Sequence, residues 1–141
     1  MDYDEIVIHT DGGSRGNPGP AAIGVTCDDQ DQNLFEISEY IGETTNNVAE
    51  YTAVIKALEK VIDLKIKAQK VLFVLDSELI VKQLLGQYKI KDSKLKELNS
   101  QVQTLKSQLK TQGTEFRIKH VLRDENKMAD KLVNAALDSL N

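Results

Sequence analysis

A continuous apolar run at residues 71–75, with the sequence VLFVL, places the strongest constraint on the fold of this 141-residue chain. An unbroken run of this kind is typical of a strand that is buried on both faces of a sheet. A sheet covered on both faces needs helices packed against it, so the run predicts an α/β fold. The run ends at Asp76, and a carboxylate is therefore expected at the end of a buried strand.

Length and composition predict a single domain over residues 1–141 with a core of its own. No apolar run approaches the roughly 18 residues that cross a bilayer, and no basic and apolar leader opens the chain. The lone cysteine, Cys27, cannot form an internal disulfide and fits a reducing compartment. These features predict a cytoplasmic protein without a membrane partner.

Hydrophobic periodicity predicts the element order β-β-β-α-β-α-α-β-α, a five-stranded mixed sheet flanked by helices. Strands are predicted at residues 6–10, 20–28, 33–40, 71–75 and 116–121. Helices are predicted from Thr45 or Asn46, over residues 77–85, over residues 93–112 and from Asn126. The predicted buried stripe of the first helix is Val48, Thr52, Ile55, Leu58 and Ile62. That of the last helix is Ala129, Leu132, Val133, Ala136, Leu137 and Leu140.

Asp11 follows the first apolar run and opens a glycine-rich stretch, GGSRGNPGP, at residues 12–20. Glycine and proline predict a turn immediately after the strand. An acid beside exposed backbone N–H groups can hold a cation while a phosphate backbone approaches closely. The alternative is that Asp11 merely caps a turn, as most Asp-Gly pairs do.

Four acids occupy positions that one site could gather: Asp11, Glu50, Asp76 and Asp130. Carboxylates crowded together repel one another, and divalent cations remove that penalty. Oxygen ligands favour Mg²⁺ or Mn²⁺, and a pair of such ions can clamp both oxygens of a phosphoryl transfer. Any one of the 22 acids is more simply a surface charge, so the inference depends on the whole set.

Four ordered motifs carry a family resemblance: TDGGSRGNPGP at residues 10–20, TTNNVAE at 44–50, Asp76 with Ser77, and His120 followed by Asn126 and Asp130. With these motifs the chain resembles a type 1 ribonuclease H from end to end. The resemblance implies an RNase H-like fold, a monomer, and hydrolysis of the RNA strand of RNA/DNA hybrids. The products would carry 5′-phosphate and 3′-hydroxyl ends.

The resemblance also implies roles for the acids and for one histidine. Asp11 would bridge two Mg²⁺ ions, Asp130 would complete the ion that activates water, and Glu50 and Asp76 would hold the other. His120 would release product or shuttle a proton, although a strand-end histidine bonded to a carbonyl remains the alternative. His9 lies within the first strand and is predicted to be structural.

Contacts to the hybrid are likewise implied by matching positions. The RNA strand is expected to meet Gly12, Gly13, Asn17, Asn46 and Asn47, and Thr45 is expected to meet a DNA phosphate. Ser77 is also predicted to contact the hybrid. A lysine-rich segment would also contact phosphates, and it contains Lys82, Lys89, Lys91, Lys94 and Lys96. The alternative is that this segment is only a solvated helix face.

The chain departs from the family pattern in two respects, and two further acids lie near the last acid of the site. It has no tryptophan and lacks the basic protrusion of many members, so hybrid affinity would depend on the lysines. Glu78 stands where some members carry an uncharged amide, and Asp124 and Glu125 lie close to Asp130 in sequence. Two other functions stay open: a hybrid-binding module of the same fold without catalysis, and a DNA-cleaving resolvase or transposase core.

Overall fold

The computed structural model describes residues 2–140 as five strands and four α-helices in the predicted order. The elements are β1 (Tyr3–Ser14), β2 (Gly19–Asp28), β3 (Asn33–Thr44), α1 (Asn46–Asp63), β4 (Ala68–Leu75), α2 (Glu78–Leu84), α3 (Ser93–Thr111), β5 (Glu115–His120) and α4 (Lys127–Asp138). A short 3₁₀ helix, Arg123–Glu125, precedes α4. The predicted α/β class and element order are confirmed.

The strands form one mixed sheet in the order β3-β2-β1-β4-β5. β1, β2 and β3 are joined by antiparallel pairing, whereas β1, β4 and β5 run parallel to one another. β1 is the central strand and pairs with β4, and their register partners Ile8 and Phe73 are both fully buried. Because β1 and β4 are parallel neighbours, residues that follow their paired segments lie at the same edge of the sheet.

The first strand is longer than the sequence predicts, because the glycine-rich stretch begins inside it. β1 continues beside β2 as far as Ser14, with Gly12 opposite Ile23. Its pairing with β4 stops earlier, at His9 opposite Val74. The prediction that Asp11 ends the strand is therefore wrong for the strand as a whole. Asp11 does lie just beyond the parallel ladder, where β1 is no longer paired with β4.

Helix α1 buries two faces, whereas the sequence predicts a single buried stripe. It packs on the sheet through β1 and also against α3. Ile55 and Leu58 are buried as predicted, whereas Val48, Thr52 and Ile62 are only partly buried. The two contact faces together bury a larger set: Ala49, Glu50, Tyr51, Ala53, Val54, Ile55, Ala57, Leu58 and Val61.

Helices α1 and α4 cover opposite faces of the sheet. Successive residues of a strand point to opposite faces. Gly12 lies against the backbone of α1 at Ala49, and the adjacent Gly13 faces Val133 of α4. Of the predicted α4 stripe, Ala129, Val133, Ala136 and Leu137 are buried and Leu132 is partly buried. Leu140 was assigned to that stripe wrongly: it is 48% exposed and lies beyond the last helical residue.

A buried polar network joins the three helices on the α1 side. The Tyr51 hydroxyl donates a hydrogen bond to Oε1 of Gln83 (2.8 Å), and Nδ2 of Asn99 donates to the Tyr51 oxygen (3.3 Å). Tyr51 follows Glu50 directly, so the network fixes the segment of α1 that carries this acid. No helix in residues 2–140 has both the length and the apolarity needed to cross a membrane.

Candidate metal and nucleic-acid site

Three carboxylates from separate elements converge at the edge of the sheet where β1 leaves β4. Asp11 on β1, Glu50 on α1 and Asp76 after β4 each place one oxygen within 4.8 Å of the others. The backbone N–H of Gly12 donates to Oδ1 of Asp11 (3.0 Å) and to Oε1 of Glu50 (3.2 Å). The other Glu50 oxygen, Oε2, is buried without a hydrogen-bond partner among the described residues. An unpartnered buried carboxylate oxygen is a natural cation ligand.

Asp130 faces the same cavity from the opposite side of the sheet. It lies in the first turn of α4 and lines a cavity of about 480 Å³ together with Asp11, Glu50 and Asp76. It does not belong to the tight group of three oxygens. Asp124 and Glu125, its neighbours in sequence, are exposed on the 3₁₀ helix and do not line this cavity. Among these three acids the geometry thus favours Asp130.

Burial and mutual repulsion perturb the two innermost acids. Burial raises the pKa of Asp11 to about 7; the neighbouring Glu50 carboxyl group opposes the rise, and the charges of Asp76 and Asp130 add to it. The pKa of Glu50 lies well above its ordinary value, first because of burial and next because of the Asp11 charge. The cluster therefore holds protons unless a cation compensates it. Oxygen-only ligands, repulsion and the orphaned Glu50 oxygen together fit hard divalent cations.

This electrostatic arrangement predicts that the metal-free protein loses stability as pH rises. Between the ordinary Asp pKa of 3.8 and the folded value of about 7, the folded state binds more protons than the unfolded chain. The stabilisation from Asp11 is thus complete below pH 3.8 and is lost as pH rises through about 7. The loss is at most about 1.4 kcal/mol per pH unit for one carboxyl group.

Urea unfolding in EDTA across pH 4 to 8 measures the slope of the free energy of unfolding against pH. Asp11→Asn should flatten it, and Mg²⁺ should restore stability at pH 8 much more than at pH 5. Equal slopes in the wild type and in Asp11→Asn would contradict the prediction.

The β1–β2 loop is attached to the start of α1 by side-chain amides. Oδ1 of Asn46 accepts hydrogen bonds from the Ser14 backbone N–H (2.8 Å) and hydroxyl (3.1 Å). Oδ1 of Asn17 in turn accepts from the Asn46 backbone N–H (3.1 Å). Asn46 and Asn47 both line the cavity. These bonds hold the glycine-rich loop and the α1 N-terminus as one rim.

The remaining predicted contact residues divide into two groups. Gly12, Gly13 and Ser77 line the cavity with the acids, and the Ser77 oxygen also accepts from the Ile80 N–H (3.3 Å) as the N-cap of α2. Outside the cavity lining lie Asn17, Thr45, Lys89, Lys91 and His120.

The outlying residues occupy three places. Thr45 is the N-cap of α1 and accepts from the Val48 N–H (3.2 Å). Lys89 and Lys91 are exposed in the connection between α2 and α3. His120 is exposed at the end of β5, opposite Leu75 and hence one residue from Asp76 along the neighbouring strand.

Sequence reasoning missed several residues that line the cavity: Ser14, Arg15, Arg123 and Asn134. Ser14 and Arg15 lie within the glycine-rich motif, which could have identified them. Asn134 lies one helical turn after Asp130, and this helical spacing could have identified it. Asn126, the N-cap residue of α4, was noted only as part of a motif. Its Nδ2 donates to the Thr10 carbonyl (2.9 Å) and, at 3.5 Å, to Oδ2 of Asp76.

Comparison with known proteins places the chain among related sequences. A family model described as reverse transcriptase-like matches residues 9–136. The bifunctional protein Rv2228c of Mycobacterium tuberculosis is 41% identical over 137 residues, covering 96% of this chain. Ribonuclease HI of Halobacterium salinarum is 40% identical over 134 residues, covering 94% of this chain. The chain spans 36% of the length of the mycobacterial protein and 64% of the halobacterial one.

Solved structures agree with this relationship over nearly whole chains. LC11-RNase H1, isolated from compost by a metagenomic approach, has a TM-score of 0.88 at 46% identity, covering 98% of this chain and 99% of that one. The same enzyme in complex with an RNA/DNA hybrid has a TM-score of 0.88 at 45% identity and covers 96% and 98%. RNase H1 of Halobacterium salinarum has a TM-score of 0.86 at 38% identity, covering 96% and 98%.

Proposed function

The chain belongs to the type 1 ribonuclease H family, and we propose that it is an endoribonuclease that cuts the RNA strand of RNA/DNA hybrids. The observation that carries the proposal is the convergence of Asp11, Glu50 and Asp76, with Asp130 facing them across one cavity. A binding module without catalytic activity would not require a buried cluster of acids that lowers the stability of the fold.

The acids would hold two Mg²⁺ ions, with Mn²⁺ as an alternative metal. Ions held there would supply an activated water for attack on phosphorus and would stabilise the leaving 3′ oxygen. Asp11 would be shared by both ions, Glu50 and Asp76 would hold one of them, and Asp130 would hold the other. Asp11 is buried and its pKa responds to Glu50, Asp76 and Asp130 alike, which supports its sharing between the two ions. Because water attacks phosphorus and the 3′ oxygen leaves, the products would carry 5′-phosphate and 3′-hydroxyl ends.

His120 would act on the product side of the reaction. Its imidazole is exposed at the end of β5, beside the strand that leads to Asp76. An imidazole can act as both a proton donor and a proton acceptor, and an exposed one is free to swing toward a leaving group. We therefore assign His120 to product release or proton transfer.

Recognition of the hybrid would depend on the rim of the cavity. Gly12 and Gly13 line the cavity, where an RNA strand would approach their backbone closely, and Asn46 and Asn47 would reach 2′-hydroxyl groups. Asn17 supports this rim through Asn46. A relative of 45% identity binds an RNA/DNA hybrid, which supports the same ligand here. Thr45, Ser77, Lys89 and Lys91 would contribute further contacts, with the lysines on phosphates.

One assay separates this function from its alternatives. The same labelled duplex is offered as RNA/DNA, RNA/RNA and DNA/DNA, with Mg²⁺ and then with Mn²⁺. We expect cleavage of the RNA strand of the hybrid only, and the ends are checked by ligation, which requires a 5′-phosphate. Cleavage of DNA/DNA would indicate the resolvase or transposase alternative. Hybrid binding without cleavage in either metal would indicate a binding module.

We expect a monomeric cytoplasmic enzyme, and light scattering measures its mass.

A further inference from the structure

Arg15 is a cation at the acidic cavity, and an exposed carboxylate holds its side chain. The guanidinium Nη2 of Arg15 lies 2.7 Å from Oδ1 of Asp138 and 3.5 Å from Oδ1 of Asn134. The side chain of Arg15 is 45% exposed and that of Asp138 is 68% exposed. Arg15 belongs to the β1–β2 loop, whereas Asp138 is the last residue of α4, so the pair joins segments 123 residues apart.

Three polar residues of α4 form a column that leads from the acids to this pair. Asp130, Asn134 and Asp138 follow one another at intervals of four residues and hence lie on one side of the helix. Nδ2 of Asn134 donates to the Asp130 carbonyl (3.1 Å). Asp138 stands about 12 Å along the helix axis from Asp130. The ion pair therefore holds the guanidinium of Arg15 toward the end of the column that is remote from Asp130, although Arg15 lines the same cavity as the acids.

The contact with Asp138 is of the kind that a phosphate can replace. Ion pairs between exposed side chains contribute little to stability and are readily exchanged. A guanidinium group matches the geometry of a phosphate and can donate two parallel hydrogen bonds to it. A phosphate oxygen can accept from Nη2 of Arg15 in place of the Asp138 oxygen. Next to several carboxylates, a polyanionic substrate also needs cations along its path to the site.

We propose that Arg15 binds a phosphate of the RNA strand beside the scissile one, and that Asp138 holds the guanidinium until the nucleic acid displaces it. This inference rests on the proposed function, because it needs a hybrid strand to pass through the cavity. Asp138 is thus an internal competitor of the substrate. The two members of the pair should have opposite effects on substrate affinity.

Steady-state cleavage of a labelled hybrid by the wild type, Arg15→Ala, Asp138→Asn and the double variant tests this inference. We expect Arg15→Ala to raise KM roughly tenfold with kcat nearly unchanged, and Asp138→Asn to lower KM about twofold. In the Arg15→Ala background, Asp138→Asn should have no effect on KM. Arg15→Ala should also reduce the slope of log kcat/KM against log salt by about 0.8, the loss of one phosphate contact.

Other outcomes would overturn the inference. If Arg15 only anchors α4, both single variants should lower the melting temperature alike and shift KM in the same direction or not at all. If Asp138 acts only as a general negative charge, its substitution should lower KM in the double variant as well. In both cases the wild type still cleaves the hybrid, so the proposed function survives. A wild-type protein that cleaves no hybrid removes the proposed function and this inference together.

Discussion

Replacing Asp11 with asparagine is expected to lower kcat for hybrid cleavage by about a thousandfold or more. Asp11 is only 8% exposed and shares the Gly12 N–H with Glu50, so an amide keeps the shape of the site but removes the central negative charge. Weaker cation binding should follow directly, because a neutral amide cannot bridge two cations as a carboxylate does. Single-turnover cleavage at saturating Mg²⁺ measures the effect.

The loss of activity should come with a gain in stability. The amide of the Asp11→Asn variant carries no buried charge, so the metal-free variant should resist urea better than the wild type at pH 8. Asp124→Asn is the matched control, because this exposed acid lies on the 3₁₀ helix outside the cavity. It should retain wild-type activity and stability. Wild-type turnover by Asp11→Asn would refute the assignment of Asp11 to the reaction.

The second large effect is expected from Gly12→Ala. A methyl group at Gly12 would overlap the Ala49 carbonyl group and the Glu50 backbone nitrogen. Backbone cannot move aside as a flexible side chain can, so α1 must shift away from β1. Overpacking of this kind costs about 3 kcal/mol. Moving Glu50 relative to Asp11 should also lower cleavage by about a hundredfold, since misplacement of a reacting group by an ångström has effects of that size.

The adjacent glycine supplies the control for Gly12→Ala. A methyl group at Gly13 would meet only Cγ1 of Val133, at an ordinary contact distance of 3.6 Å. Gly13→Ala should therefore unfold at nearly the wild-type urea concentration, even if its KM changes through the proposed RNA contact. Equal unfolding midpoints for both variants would show that the close approach of α1 does not need a glycine at position 12.

Local pattern was sufficient to predict most of the architecture. The apolar run at residues 71–75 lies in β4, and three- to four-residue spacing predicts a buried stripe on α3 of Leu95, Leu98, Val102, Leu105 and Leu109, of which all but the partly buried Leu105 are buried. Prediction failed where burial depends on distant partners. α1 lies between the sheet and α3, so its buried surface exceeds one stripe. β1 continues through its glycines because β2 pairs with them, which no local propensity for turns can reveal.

Periodicity and ordered motifs are local properties of the chain, and they were enough to predict the order of the elements, the family and a set of four candidate acids. Which of these acids share buried space depends on the tertiary structure. It brings Asp11, Glu50 and Asp76 within 4.8 Å and sets Asp130 on the facing helix, while Asp124 and Glu125 stay exposed. It also brings Arg15 to Asp138 across 123 residues. Such contacts depend on how helices cross a sheet, and desolvation and repulsion follow from that packing rather than from residue type.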